Sequence, residues 1–202
     1  MSTSDIKLKF VLVGDSNVGK TSIMVNYIDK YLSTNFYPTV GVDFESTDIV
    51  VDINDTEKIV HLQMWDTAGQ ERYRSLITSY YRTASAILIV FDLTNRQSYN
   101  NLFYWITLAY KFNHNNAQLF IIGNKSDLNN KRAVTQLEAE TFSQFHNAKY
   151  YETSSFDLEL LKNTINNIVL SIAQPIFLHI DQMRTRDVHV EKMADASCCV
   201  LL

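Results

Sequence analysis

The stretch Lys7-Leu8-Lys9-Phe10-Val11-Leu12-Val13-Gly14-Asp15-Ser16-Asn17-Val18-Gly19-Lys20-Thr21 decides how this chain is read. From Phe10 to Val13 it is apolar on both faces, the pattern of a strand covered on both sides, as in a parallel sheet. Its second half fits G-x-x-x-x-G-K-[ST], and the residues after Gly19 carry Ile23, Tyr27 and Ile28 at helical spacing. A strand, a glycine-framed loop and a helix in that order make a phosphate cradle. Successive backbone N–H groups form an anion nest, and the helix N-terminus adds partial positive charge. Lys20 reaches phosphate oxygens, and the Thr21 hydroxyl is a ligand for Mg²⁺.

Downstream of the cradle, Asp43 to Ile53 and Lys58 to Trp65 read as strands joined at the turn pair Asn54-Asp55, which implies one antiparallel edge. Ala86 to Asp92, Leu119 to Gly123 and Lys149 to Thr153 read as further buried strands. Helices are predicted near 71–83, 97–113, 135–147 and 158–174, the last with Leu161, Ile165, Ile168, Val169 and Ile172 on one side. Strands alternating with helices predict a three-layer α/β fold: a mostly parallel six-stranded sheet, one antiparallel edge strand, and helices on both faces. Such sheets bind ligands at the carboxyl ends of their strands. Pro175 is expected to end the last helix. That leaves residues 1–174 as one nucleotide-binding domain and 175–202 as a flexible tail with a short amphipathic stretch at Ile176, Phe177, Ile180 and Met183.

Composition narrows the classes. At 202 residues, 46% hydrophobic and 20% charged, the chain suits one globular domain with a short extension. A net charge of −4 offers no basic excess for a nucleic-acid backbone, so nucleic acid is not expected as a partner. The longest strongly apolar run, Ala86 to Phe91, is far short of the ~20 residues that span a bilayer. Membrane contact is therefore expected only through a modification or a partner. The two cysteines, Cys198 and Cys199, are adjacent near the end, which fits a reducing compartment. The five histidines show no metal-ligand spacing.

A phosphate cradle does not choose between nucleotides; Asn124-Lys125-Ser126-Asp127, after Ile121-Ile122-Gly123, does. Guanine presents N1–H and a 2-amino group on one edge, and the Asp127 carboxylate can accept from both. Adenine lacks that pair, so a carboxylate facing it would lose ~1–3 kcal/mol or more. Lys125 packs its stem along base and ribose, Leu128 follows it, and Thr153-Ser154-Ser155 offers a backbone N–H to guanine O6. Two further segments face the γ-phosphate. In Trp65-Asp66-Thr67-Ala68-Gly69-Gln70, Asp66 holds Mg²⁺ through water, Gly69 brings its N–H close, and Gln70 orients the attacking water. In Tyr37-Pro38-Thr39-Val40-Gly41-Val42-Asp43-Phe44, the Thr39 hydroxyl ligates Mg²⁺ while its N–H meets the γ-phosphate. Loss of that phosphate releases both segments, a difference that partners can read.

These residues carry a resemblance. Over 7–174 the chain resembles the Ras-like small GTPases, with all five nucleotide motifs in order, and within them it looks like a Rab protein. Val40-Gly41-Val42-Asp43-Phe44, Trp65 through Arg74, Tyr80-Tyr81-Arg82 and the terminal Cys-Cys-Val-Leu-Leu are close to Rab signatures. The resemblance implies a GTP/GDP cycle with Mg²⁺, and slow hydrolysis sped by an activating protein. It also implies an exchange factor, a GDP-dissociation inhibitor, a prenylation escort, and a role in vesicle traffic on the cytoplasmic face of an intracellular membrane. Effectors would read residues 37–44 and 66–82 of a monomeric domain. Its nucleotide contacts would be Asp15, Ser16, Asn17, Val18, Gly19, Lys20, Thr21, Ser22, Tyr37, Thr39, Gly69, Asn124, Lys125, Asp127, Leu128, Ser154, Ser155 and Phe156. Lys20 and Gln70 would be catalytic, Thr21, Thr39 and Asp66 would hold the metal, and Cys198 and Cys199 would carry geranylgeranyl groups. Two lipids anchor stably where one does not, and the tail's mixed charges supply no polybasic patch.

Some positions depart from the family. Asn17 stands where many relatives have glycine, and asparagine tolerates left-handed backbone. Leu32 stands where the family stacks an aromatic on guanine, with Tyr31 beside it. Ser155 and Phe156 replace the usual Ala and Lys. Thr83 replaces a Gly after Tyr-Tyr-Arg and is read as a helix-end detail. No arginine is placed to reach the γ-phosphate within the chain. In Ras, hydrolysis alone runs on the order of 10⁻⁴ s⁻¹ and an activating partner adds about 10⁵-fold, or ~7 kcal/mol of barrier. A GTP-binding scaffold with little turnover and an ATP-using enzyme are the rival readings; Gln70 argues against the first and Asp127 against the second.

Overall fold

The computed structural model describes residues 5–31, 39, 41–67, 79–113 and 116–198, with side chains to residue 183. Six strands form one sheet: β1 (Ile6–Val13), β2 (Val42–Asp52), β3 (Glu57–Thr67), β4 (Ala86–Asp92), β5 (Gln118–Asn124) and β6 (Lys149–Glu152). Their order is β2-β3-β1-β4-β5-β6. All pairings are parallel except β2 with β3, so the antiparallel hairpin lies at one edge. Among the helices are α1 (Lys20–Asp29), α2 (Arg96–Asn100), α3 (Leu102–Phe112), α4 (Gln136–Phe145) and α5 (Leu158–Cys198).

Strand residues alternate between two cores, as a pleat requires. Phe10, Leu12, Leu88 and Val90 face α1 and α5, where Ile23, Met24, Leu161, Ile165 and Ile168 cover them. Val11, Val13, Ile87, Ile89 and Phe91 face α3 and α4, where Leu102, Trp105, Ile106 and Ala139 cover them. Every residue of β4 is buried, which is why no polar face interrupts its sequence. The three-layer architecture is therefore the expected one, with strand ends moved by a residue or two. The single helix predicted at 97–113 is two, α2 and α3, meeting at Asn101. The helix predicted near 71–83 lies outside the described residues except for helical residues 79–81.

The expected end at Pro175 is corrected. Helix α5 runs through Pro175 to Cys198. Proline removes the N–H that would bond the Ser171 carbonyl and crowds that carbonyl, but packing beyond it holds the helix. Phe177 is fully buried in the same core as Ile168 and Ala173. The Lys58 ammonium of β3 lies 5.6 Å from the Phe177 ring centroid and 3.5 Å from the Asp181 carboxylate, one helical turn further on. Residues 175–198 thus add about 36 Å of helix at 1.5 Å per residue. No helix among the described residues is long and apolar enough to cross a membrane.

Candidate functional site

The candidate residues gather at the carboxyl ends of β1, β3, β5 and β6, where a parallel sheet exposes its loops. The loop after β1 takes three left-handed residues, Gly14 (φ 140°), Asn17 (φ 64°) and Gly19 (φ 98°). A Cβ on Gly14 would lie 2.1 Å from the Val90 carbonyl oxygen, and one on Gly19 would lie 2.2 Å from Asn124 Nδ2. Neither position admits a side chain, and Asn17 shows the backbone expected for it. Lys20 opens α1 and is 5% exposed. Its Nζ donates to the Gly14 carbonyl at 2.9 Å and the Asp15 carbonyl at 2.7 Å. Burial draws its pKa down to about 8, against the opposing pull of Asp66 and Asp15.

Thr21, Thr39 and Asp66 converge. Thr21 Oγ1 donates to Asp66 Oδ2 at 2.5 Å, Thr39 Oγ1 to the same oxygen at 3.0 Å, and the two hydroxyls are 2.8 Å apart. Asp66 is fully buried and its Oδ1 has no hydrogen-bond partner. Burial pushes the Asp66 pKa up; the Thr21 bond, the Lys20 charge and the Thr39 bond oppose it. A buried carboxylate with one orphaned oxygen and two hydroxyls at hand is an all-oxygen donor set for a hard cation. Octahedral Mg²⁺ with ligands at ~2.0–2.1 Å separates adjacent ligand oxygens by about 2.9 Å, so these residues fit that ion.

On the opposite side, Asn124 bridges two loops. Fully buried, it donates from Nδ2 to the Val18 carbonyl at 2.9 Å and accepts from the Ser155 N–H at 3.1 Å. Asn26 of α1 donates to the Ser155 carbonyl at 2.8 Å. Lys125, itself left-handed at φ 66°, donates to the Asn17 carbonyl at 2.8 Å and pairs with Asp92 at 2.6 Å. The Leu128 N–H closes the loop on the Lys125 carbonyl at 3.0 Å. Asp127 is exposed, and its Oδ1 accepts from Ser154 Oγ at 2.5 Å. The Phe156 N–H donates to the same hydroxyl at 3.1 Å. The N–H groups of Ser155 and Phe156 are thus engaged within the loop, and a guanine O6 would share one of them. Phe156, next to Ser155, is 50% exposed, and Tyr31, two residues past the end of α1, is 58% exposed.

Several contacts had no signal in the local sequence. Asp15, which reads as a loop former, accepts from Asn101 Nδ2 at 2.6 Å and from Trp105 Nε1 at 2.8 Å, so α3 braces the phosphate loop. Asp92 was detectable only by its place at the carboxyl end of β4. Tyr37, Gly69, Gln70, Leu32 and Cys199 lie outside the described residues, as do parts of segments 37–44 and 66–82. Ser16, within the cradle, and Ser22, just after it on α1, have no described side-chain hydrogen bond, and Cys198 is the last residue of α5. Phe44 and Tyr80, in the described parts of those two segments, form an aromatic row with Trp65, just before the second, with centroids 4.7 Å and 5.0 Å apart.

The profile of the Ras family matches residues 9–174. Ras-related protein Rab-27A of Rattus norvegicus is 42% identical over 158 residues, which cover 75% of this chain and 72% of that protein. Ras-related protein Rab-11B of Dictyostelium discoideum is 36% identical over 173 residues, 86% of this chain and 77% of that protein. Ras-related protein Rab-3C of Bos taurus is 36% identical over 165 residues, 82% of this chain and 71% of that protein. A P-loop α/β sheet, the loop after β5 tied to it through Asn124 and this span of similarity lead to one conclusion: the chain belongs to the Ras family, as a Rab-type small GTPase that binds and hydrolyses GTP in membrane trafficking.

Proposed function

We propose that this chain alternates between a GTP-bound form that recruits effectors and a GDP-bound form that does not, with Mg²⁺ held by Thr21, Thr39 and Asp66. The observation that carries this reading is the convergence of the Thr21 and Thr39 hydroxyls on the buried Asp66 carboxylate, which has an oxygen left over. Thr39 lies on a different segment from Thr21 of α1 and Asp66 of β3, so a cation held by all three would join that segment to the rest of the site. When bound there, the ion would supply positive charge that offsets the charge of the phosphates.

The remaining work falls to this chain's own groups. Lys20, buried and charged at neutral pH, turns its donors from loop carbonyls to phosphate oxygens. Loop N–H groups from Asp15 to Thr21 orient the anion. Asp127 accepts from the two guanine donors, Lys125 lies along the base, and Phe156 and Tyr31 exclude water from its faces. Gln70 orients the attacking water and Gly69 approaches the γ-phosphate. An exchange factor opens the site, an activating protein completes it, and a GDP-dissociation inhibitor and prenylation escort handle a double geranylgeranyl anchor on Cys198 and Cys199. The folded domain is monomeric, and helix α5 with the residues after it connects it to the cytoplasmic face of an intracellular membrane.

Single-turnover hydrolysis of GTP by the full chain tests this, with and without Mg²⁺ and with Gln70→Leu. Slow hydrolysis that falls on Mg²⁺ removal and falls again with Gln70→Leu is the expected result. Turnover on the order of 1 s⁻¹ by the chain alone would overturn the dependence on a partner, and turnover indifferent to Gln70 would favour the scaffold reading.

A further inference from the structure

We propose that the ammonium of Lys9, held in place by Thr83, reads an acidic side chain on the effector that docks against Phe44, Trp65 and Tyr80. The inference rests on the effector reading of these segments and adds the chemistry of the partner. Lys9 lies on β1, two residues before Val11, which pairs with Trp65; Trp65 in turn pairs with Phe44. Lys9, Trp65 and Phe44 therefore point to one face of the sheet, by the two-residue period of strands. The Lys9 ammonium lies 4.5 Å from the Trp65 ring centroid and 5.1 Å from that of Tyr80. Its Nζ donates to Thr83 Oγ1 at 2.7 Å.

That ammonium has three N–H donors, and Thr83 takes one. No carboxylate pairs with it among the described residues, and burial alone draws its pKa down with no acid acting in the other direction. By contrast, Lys58, Arg96, Lys125 and Arg132 each hold a carboxylate within 3.5 Å. Phe44 beside it is 40% exposed, so a partner covering that ring comes within reach of the charge. Covering the row with purely apolar groups would strip water from an ammonium that has one hydrogen-bond acceptor, Thr83, among the described residues, a penalty that selects against such partners. A segment with an aliphatic or aromatic anchor for Phe44 and Trp65, and an Asp or Glu beside it, satisfies both halves of the face. Thr83 matters because its hydroxyl fixes where the positive charge sits; a glycine there has no acceptor to offer.

The test pans a phage-displayed library of random 16-residue peptides against the full chain carrying a non-hydrolysable GTP analogue. Affinities of the selected peptides are then measured by fluorescence anisotropy on wild type, Lys9→Met, Thr83→Val and Phe44→Ala. The proposal expects an Asp or Glu at a fixed offset from an apolar anchor. Changing that acid to its amide should weaken binding about tenfold on wild type and less than about twofold on Lys9→Met. Thr83→Val should give an intermediate loss, and Lys9→Met should keep wild-type GTP hydrolysis, which certifies its fold. Equal losses on wild type and Lys9→Met, or selected peptides without acids that still need Phe44, would overturn the acidic preference alone. Peptides indifferent to Phe44→Ala would instead overturn the effector reading of this face.

Discussion

Replacing Asn124 by alanine should loosen the whole site without touching the phosphate loop's own residues. The side chain is fully buried and bonds the Val18 carbonyl at 2.9 Å and the Ser155 N–H at 3.1 Å. Asn124→Ala leaves a carbonyl and an N–H buried without partners. Each such group costs ~1–3 kcal/mol, and water entering the gap recovers part, so the net loss is ~2–4 kcal/mol. The assay is urea unfolding of both proteins at two free GDP concentrations a hundredfold apart, each well above the dissociation constant. Bound ligand adds about 2.7 kcal/mol between the two concentrations in either protein. The gap between proteins should therefore be the same at both, and the release rate of a fluorescent GDP analogue separates lost affinity from lost fold stability. Asn124→Asp keeps the acceptor for Ser155 but sets an oxygen against the Val18 carbonyl, and should lose at least as much. If Asn124→Ala lies within ~0.5 kcal/mol of wild type, in the range of neutral surface changes, the bridge is not what joins the two loops.

Other outcomes follow from the same contacts. Phe177→Ala should cost ~3–5 kcal/mol in urea unfolding, since it empties a fully buried ring site beyond the proline; a negligible loss would mean that α5 does not pack past residue 175. Pro175→Ala should stabilise by ~1–3 kcal/mol, because it restores an N–H to the Ser171 carbonyl and removes the ring clash. Glu138, exposed, has its pKa pulled down to about 2 by Arg96, then by the Thr135 N–H and hydroxyl. Its stabilising effect is full above its unfolded value near 4.5 and is lost as pH falls toward about 2. The melting-temperature gap between wild type and Glu138→Gln should therefore narrow between pH 5 and pH 2.5, and a constant gap refutes the assignment. Gly14→Ala should fail to accumulate as folded protein, judged by soluble yield and GDP content, because its Cβ meets the Val90 carbonyl in a φ that L residues avoid.

The elements that were legible are those whose determinants are local. β4 could be recognised because all seven of its residues are buried, and the phosphate loop because its glycines are demanded by backbone angles and by close approach. The position of the loop after β5 was legible because it continues a buried strand. What was hidden depends on partners far along the chain. Proline's local rule ends a helix at residue 175, yet Lys58 and the burial of Phe177, settled by a strand more than a hundred residues upstream, override it. Asp15 looks like a turn residue until Asn101 and Trp105, 86 and 90 positions away, are folded against it. Thr83 looks like a helix-end substitution until Lys9, 74 positions away, donates to it.

The bridge through Asn124, Lys125 and Asn26 has a kinetic consequence. The base-reading loop is already ordered around its own hydrogen bonds, so the ~1–2 kcal/mol per residue needed to fix a backbone is met during folding. On the proposed reading, an arriving nucleotide would meet a loop whose internal hydrogen bonds are already made on that side. Association then needs no loop rearrangement there, and differences in affinity show up as residence time. Helix α1 carries both Asn26, which grips the base-side loop, and Thr21, which grips the cation side. A protein that ejects nucleotide by shifting this one helix would slacken both grips in a single motion. On the proposed reading, the half-life of the bound state would depend on how this one helix, which also opens with Lys20, sits against the two loops.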